Sequence, residues 1–148
     1  MCTWRKICCP VDFSNVSRVA FEHAAGLAQH ARGELLLVHV RRRIRPATRA
    51  VFAPPAWHTP AVRAGESQLT SWTHDAQHLA AGLATSVELA GDPATEVVRF
   101  AVEFDCDLIV MGARGRRRAS FSSLGSVAQR IIGGAHCPVL VVRGQESR

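Results

Sequence analysis

The chain has 148 residues, 47% of them hydrophobic and 20% charged, which suits one packed domain over residues 1–148 and excludes a disordered, tail-like protein. No apolar run approaches the ~20 residues needed to cross a bilayer, and Met1 to Asp12 lacks the apolar core of a secretory signal, so a cytoplasmic protein with no membrane contact is expected. Eighteen basic residues against 12 acidic ones leave a formal net charge of +6, which favours an anionic partner.

The first apolar run, Ile7 to Val11, predicts a strand that ends at Asp12-Phe13-Ser14. Val16, Val19, Ala20, His23, Ala24 and Leu27 then recur at helical spacing, with Ser14 as the N-cap and Gly33 closing the helix. Glu34 to Val40 is a near-continuous apolar strand of the kind buried on both faces. Arg41 to Pro60 carries five arginines and four prolines without periodicity and predicts a long loop. Val62, Leu69, Trp72, Ala76 and Leu79 make a second helical stripe ending near Gly82, and Leu83 to Leu89 reads as a third strand. Asp92-Pro93 supplies a cap and a first-turn proline for a helix with Val97, Phe100, Ala101 and Phe104 on one face. Asp107 to Met111 is a short buried strand, Gly112 to Leu124 a loop rich in glycine, arginine and serine, and Val127, Ala128, Ile131, Ile132 and Ala135 mark the last helix. Pro138 to Arg143 is the last strand.

Strict alternation of strand and helix demands crossover connections, hence an α/β fold with an open parallel sheet and helices on both faces. Ligands of such sheets sit beyond the carboxyl ends of the strands, where strand order reverses. Arg41, Arg42, Arg43, Arg45 and Arg49 follow the second strand, and Arg114, Arg116, Arg117 and Arg118 follow the fourth. Five cysteines with no C-x-x-C spacing predict free thiols acting as small buried hydrophobes, with Cys8 and Cys9 pointing to opposite faces of one strand. The seven histidines do not cluster with carboxylates at ligand spacing, and His39 reads as a satisfied core histidine.

The chemistry is concentrated after the fourth strand, in Gly112-x2-Gly115-x9-Gly125-Ser126 at the head of a helix. Glycine at a strand end lets backbone approach a ligand, and a helix start offers unpaired N–H groups and a positive dipole end to an anion. With the Ser126 hydroxyl added, this reads as a phosphate cradle, Arg114 lying inside the glycine pair. The alternative is a plain turn at Gly112 and Gly115 and close packing at Gly125. Asp12, at the carboxyl end of the first strand, is placed to accept from ribose hydroxyls or to hold a metal ion beside phosphates. Its alternative is to cap the following helix together with Ser14.

These stretches resemble the nucleotide-binding type of universal stress protein over nearly the whole chain: Ile7 to Ser14 (ICCPVDFS), Leu35 to Val40 (LLLVHV), Gly91 to Ala94 (GDPA), Asp107 to Gly115 (DLIVMGARG), Leu124 to Ala128 (LGSVA) and Cys137 to Arg143 (CPVLVVR). The resemblance implies a five-stranded, Rossmann-like sheet in the order 3-2-1-4-5, ATP or AMP in the crevice with a magnesium or manganese ion beside it, and a homodimer. Carried over, it gives Asp12 the ribose or metal, the Val40 backbone the adenine, and Met111 and Gly112 the nucleoside. Gly115, Gly125, Ser126 and Val127 take the phosphates. In that strand order Val139 to Val142 is an edge strand, where a second chain can pair. Two departures bear on the terminal phosphates: Arg118 stands where the family commonly has another glycine, and Ser122 and Ser123 where apolar residues precede the last motif glycine.

The expected function is an adenine-nucleotide-binding stress-response module that changes state with its ligand. No nucleophile–base pair is visible, and slow ATP hydrolysis, the enzymatic alternative, needs a water-orienting group that the sequence does not assign. Nucleic-acid binding through the basic loops is the other alternative, weakened by the scarcity of aromatic residues beside those arginines.

Overall fold

The computed structural model describes residues 3–43, 60–115 and 124–144. Arg45, Arg49, Arg116 to Arg118, Ser122 and Ser123 lie outside the described residues, as does most of the loop expected between Arg41 and Pro60. In chain order the elements are β1 (Lys6–Pro10), α1 (Asn15–Ala31), β2 (Glu34–Arg41), α2 (Pro60–Leu79), β3 (Ala84–Ala90), α3 (Pro93–Glu103), β4 (Leu108–Gly112), α4 (Ser126–Gly134) and β5 (Val139–Val142). The strands form one parallel sheet in the order β3-β2-β1-β4-β5, as expected. No helix among the described residues is long and apolar enough to cross a membrane.

Side-chain alternation along β1 and β2 splits the core into two layers. Ile7, Cys9, Leu35 and Leu37 pack with Phe21, Ala24 and Ala28 of α1 and Leu69 and Ala76 of α2. Cys8, Leu36, Val38 and Ile109 pack with Val97 and Phe100 of α3 and Ile131 of α4. The two adjacent cysteines therefore serve opposite faces. Both are fully buried, and Cys8, Cys9, Cys106 and Cys137 are free thiols. Burial disfavours the thiolate and pushes Cys9 up to about 12.

The helix caps follow from local chemistry. The Ser14 hydroxyl accepts from Ser17 N–H at 3.1 Å, and the Asp92 carboxylate accepts from Thr95 N–H at 3.0 Å ahead of Pro93. The end of α1 departs from expectation: the left-handed residue is Arg32 (φ 53°), and its N–H closes onto the carbonyls of Ala28 and Gln29. Gly33 serves close approach instead, because a Cβ there would stand 2.3 Å from the Trp4 carbonyl oxygen. Gly82 does occupy a left-handed turn (φ 87°), donating to the Gln77 carbonyl at 2.7 Å. Leu79, Phe104 and Ile132, expected on inward stripes, are exposed at the carboxyl ends of their helices, where apolar periodicity outlasts the cover. Leu83 likewise precedes β3 and is exposed.

Candidate functional site at the carboxyl ends of β1 and β4

Strand order reverses between β1 and β4, so the crevice opens where those strands end. Asp12 follows β1, and its Oδ1 accepts from Ser14 N–H at 3.0 Å while its own N–H donates to Ser17 Oγ at 3.1 Å. The carboxylate thus helps build the α1 start, as the capping alternative held. Its other oxygen faces the far side of the crevice: Oδ2 lies 2.6 Å from where a Cβ on Gly115 would stand. A side chain at position 115 would press on that carboxylate and make it shift.

Backbone hydrogen bonds then lock the loop to the next helix. Ala113 N–H donates to Val142 O at 2.8 Å, and Gly125 N–H donates to Ala113 O at 2.8 Å, so the end of β5, the loop after β4 and the start of α4 form one chain of contacts. Gly125 is the N-cap of α4 and supplies no side-chain cap, leaving the first-turn N–H groups of that helix to other acceptors. A Cβ at Gly125 would lie 3.5 Å from Ala113 O, 3.6 Å from Arg114 Cα and 4.0 Å from Gly115 N. Asp12, Gly115 and Gly125 therefore converge, with Arg114 half-buried between them in sequence and Ser126 and Val127 opening the helix.

The remaining expected residues are distributed around this centre. Met111 is buried and Val40 half-buried, both on the α3/α4 layer of the sheet. At Gly112 a Cβ would stand 3.0 Å from Val16 Cγ1 and 3.4 Å from both Arg114 O and Ser17 N, so its missing side chain admits α1 close to the end of β4 and the loop that follows. Arg41 is ion-paired with Glu88, which stands two register steps back, opposite His39. His39 bonds through Nδ1 to Val11 O at 2.9 Å. A carbonyl only accepts, so Nδ1 carries the hydrogen.

Several supports escaped the sequence reading. Phe13 holds a left-handed conformation (φ 63°) at the β1–α1 turn, with its ring 4.6 Å from His39 and 5.4 Å from Trp72. Gln129 Nε2 donates back to Leu124 O at 2.9 Å, fixing the approach to Gly125. Arg130 of α4 donates to Asp92 at 2.9 Å and to Thr95 Oγ1 at 3.3 Å, tying α4 to the α3 cap. Arg130, together with the Thr95 N–H and hydroxyl that also donate to it, holds the Asp92 carboxyl well below the usual carboxylate range. Gln129 was findable as a long amide four residues past Gly125, whereas Arg130 and Asp92 are 38 residues apart with no local signal.

A model of the universal stress protein family matches residues 3–143. A universal stress protein of Methanocaldococcus jannaschii is 35% identical over 143 residues, which cover 95% of this chain and 82% of that one. The universal stress protein YxiE of Bacillus subtilis is 29% identical over 147 residues, covering 95% and 99%. Among solved structures, UspA from Lactobacillus plantarum superposes with a TM-score of 0.78 at 22% identity, covering 97% of this chain and 100% of its own. A universal stress protein in complex with cAMP gives 0.73 at 21% identity, covering 95% and 98%. One from Archaeoglobus fulgidus in complex with dAMP gives 0.69 at 20%, covering 95% and 99%. The structural likenesses establish a shared fold, and the family model with its matching relatives establishes kinship: the chain belongs to the universal stress protein family.

Proposed function

We propose that this protein binds an adenine nucleotide, ATP or AMP, in the crevice between β1 and β4 and acts in the cytoplasm as a stress-response module whose state follows its ligand. The observation that carries this reading is the convergence of Asp12, Gly115 and the α4 start, whose cap residue has no side chain. The N–H groups of Gly115, Ser126 and Val127, with the Ser126 hydroxyl and Arg114, suit phosphate oxygens. The Asp12 carboxylate suits ribose hydroxyls, and the Val40 backbone with Met111 and Gly112 the nucleoside. That two relatives of the same fold are held with cAMP and dAMP supports an adenine nucleotide here. Among the described residues no group of three or more His, Cys, Asp or Glu side chains could hold a metal ion. A magnesium or manganese ion beside Asp12 would therefore draw its other ligands from phosphate and water. Calorimetric titration tests the reading. One ATP per chain, saturable and with a shallow salt dependence, supports it; binding to any polyanion with a steep salt slope would favour a nucleic-acid partner instead.

The arginines after β2 act on this site from a distance. Arg41 is engaged with Glu88, while Arg42 and Arg43 are exposed at the carboxyl end of β2. Exposed charge is screened over about 10 Å at 0.1 M salt. Replacing Arg42 and Arg43 with glutamine is expected to slow ATP association in stopped flow at low salt and to change little at high salt. An equal loss of affinity at both salts would mean direct contact.

The homodimer belongs to the same proposal. Among the described residues β5 closes the sheet with one edge unpaired, Leu140 is 39% exposed, and a groove of about 700 Å³ runs between β5 and α1, lined in part by Val16, Val19, Leu140 and Val142. Antiparallel pairing with the β5 of a second chain would satisfy the edge and be self-complementary about a two-fold axis. Leu140→Glu suits the test better than a change at Val141, which packs into the α3/α4 layer. In sedimentation equilibrium the wild type is expected to be dimeric and Leu140→Glu monomeric. A wild type that stays monomeric at tens of micromolar, with or without ATP, defeats the dimer.

A further inference from the structure

α2 carries the sequence His74-Asp75-Ala76-Gln77-His78. The rotation of this helix is fixed on its inner side: Leu69 and Ala76 are buried against the sheet, Trp72 meets Phe21 and Phe13, and Asp75 accepts from Arg18 Nη1 of α1 at 2.8 Å. The Arg18 guanidinium also lies over the Phe21 and Trp72 rings, at 4.8 and 5.1 Å from their centroids. With those positions turned inward, His74 and His78 stand together on the exposed side, their ring centroids 4.6 Å apart.

Residues four apart on a helix are neighbours, and two imidazoles at this spacing can direct one nitrogen each to a common point. A metal–nitrogen bond of about 2.0–2.1 Å places two ligating nitrogens roughly 3 Å apart in tetrahedral or octahedral geometry. Exposed side chains whose rings already touch reach that separation by rotating about χ1 and χ2, with no movement of the backbone. Imidazole suits zinc, copper and nickel and is a poor ligand for magnesium or calcium.

We propose that His74 and His78 form a two-imidazole binding site for a divalent transition-metal ion of the zinc class, separate from the crevice at β1 and β4. Water completes the coordination, since no third ligating side chain joins the pair among the described residues. The arrangement resembles the His-x-x-x-His helix of zinc hydrolases in spacing alone. Asp75 follows the first histidine, where those helices carry their general base, but its carboxylate is bonded to Arg18 and turned to α1. The site therefore binds and does not activate water for hydrolysis. A bound ion closes a chelate over the last turns of α2 and adds to its stability by mass action.

The test uses zinc chloride alone with the full-length protein, followed by long-range proton–nitrogen correlation spectra of the imidazoles, which are blind to competing thiols. The His74 and His78 rings are expected to shift together with the first equivalent of zinc. His78→Ala should raise the zinc concentration needed to shift His74 by at least tenfold, His74→Ala should do the same to His78, and Gln77→Ala should do neither. All three positions are exposed, so the variants fold. The proposal is overturned if other histidines shift first, if no ring shifts, or if His74 titrates unchanged in His78→Ala.

Discussion

Replacing Gly125 with valine is expected to leave the protein folded and to weaken ATP binding at least tenfold, a loss of about 1.4 kcal/mol or more. The cap residue of α4 sits at φ −61° and ψ 158°, a backbone conformation that valine accepts readily, and the first side-chain atom would meet the neighbouring loop only at ordinary contact distances. Exchanging glycine for valine at an N-cap costs stability of the order of 1 kcal/mol, which a domain of this size tolerates. The methyl groups would instead fill the space between the helix start and Gly115, where the phosphates are proposed to lie. Circular dichroism and calorimetry on one preparation separate the two effects. Unchanged affinity in a folded variant removes the α4 start from the site. Gly112 serves this purpose less well, because a Cβ there would stand 3.0 Å from Val16 Cγ1 and crowd α1 whether or not a ligand is bound.

Gly33→Ala is expected to destabilise the fold, and Gly26→Ala to stabilise it. At Gly33 the added Cβ would stand 2.3 Å from Trp4 O and 3.0 Å from Arg5 O. That backbone cannot easily yield, since Arg5 O accepts from Glu34 N–H at 2.8 Å and Arg5 N–H donates to Asp107 at 2.8 Å. Overpacking against pinned backbone costs roughly 1–3 kcal/mol, or a fall in Tm of several degrees at about 2–4 °C per kcal/mol for a chain this long. Gly26 lies exposed within α1 with nothing within 4 Å of its Cβ position, so alanine there should add about 0.5–1 kcal/mol through helix propensity. Thermal unfolding of the pair reads both signs. A neutral Gly33→Ala would mean that the chain leading into β1 gives way freely.

What the sequence disclosed and what it withheld divide along a physical line. Features set by neighbours in the chain were legible. The Ser14 and Asp92 caps, the opposite faces of Cys8 and Cys9 and the parallel alternation all follow from hydrogen bonds or periodicity within a few residues. Features set by close approach between distant segments were not. Gly33 looked like a helix terminator because glycine usually is one there, yet its role is decided by Trp4, brought alongside by strand pairing. At Gly112 the close approach of α1 has no local signal either, since a Cβ there would stand 3.0 Å from Val16 Cγ1. The direct approach of Asp12 to Gly115 has no local signal, since the two lie on either side of the switch point; the sequence places both only at carboxyl ends of strands around one phosphate site. Apolar periodicity also overstated burial at Leu79, Phe104 and Ile132, because it registers the face of a helix and not where its cover ends.

The proposed nucleotide site is tested most directly by following backbone amide resonances as ATP is added to the isotopically labelled wild-type protein. The amides of Gly115, Ser126 and Val127 are expected to shift first and to saturate together, with that of Val40 following the same curve. Shifts confined to Arg42, Arg43 and the other exposed arginines, or no saturating shift at the start of α4, would contradict nucleotide binding in the crevice.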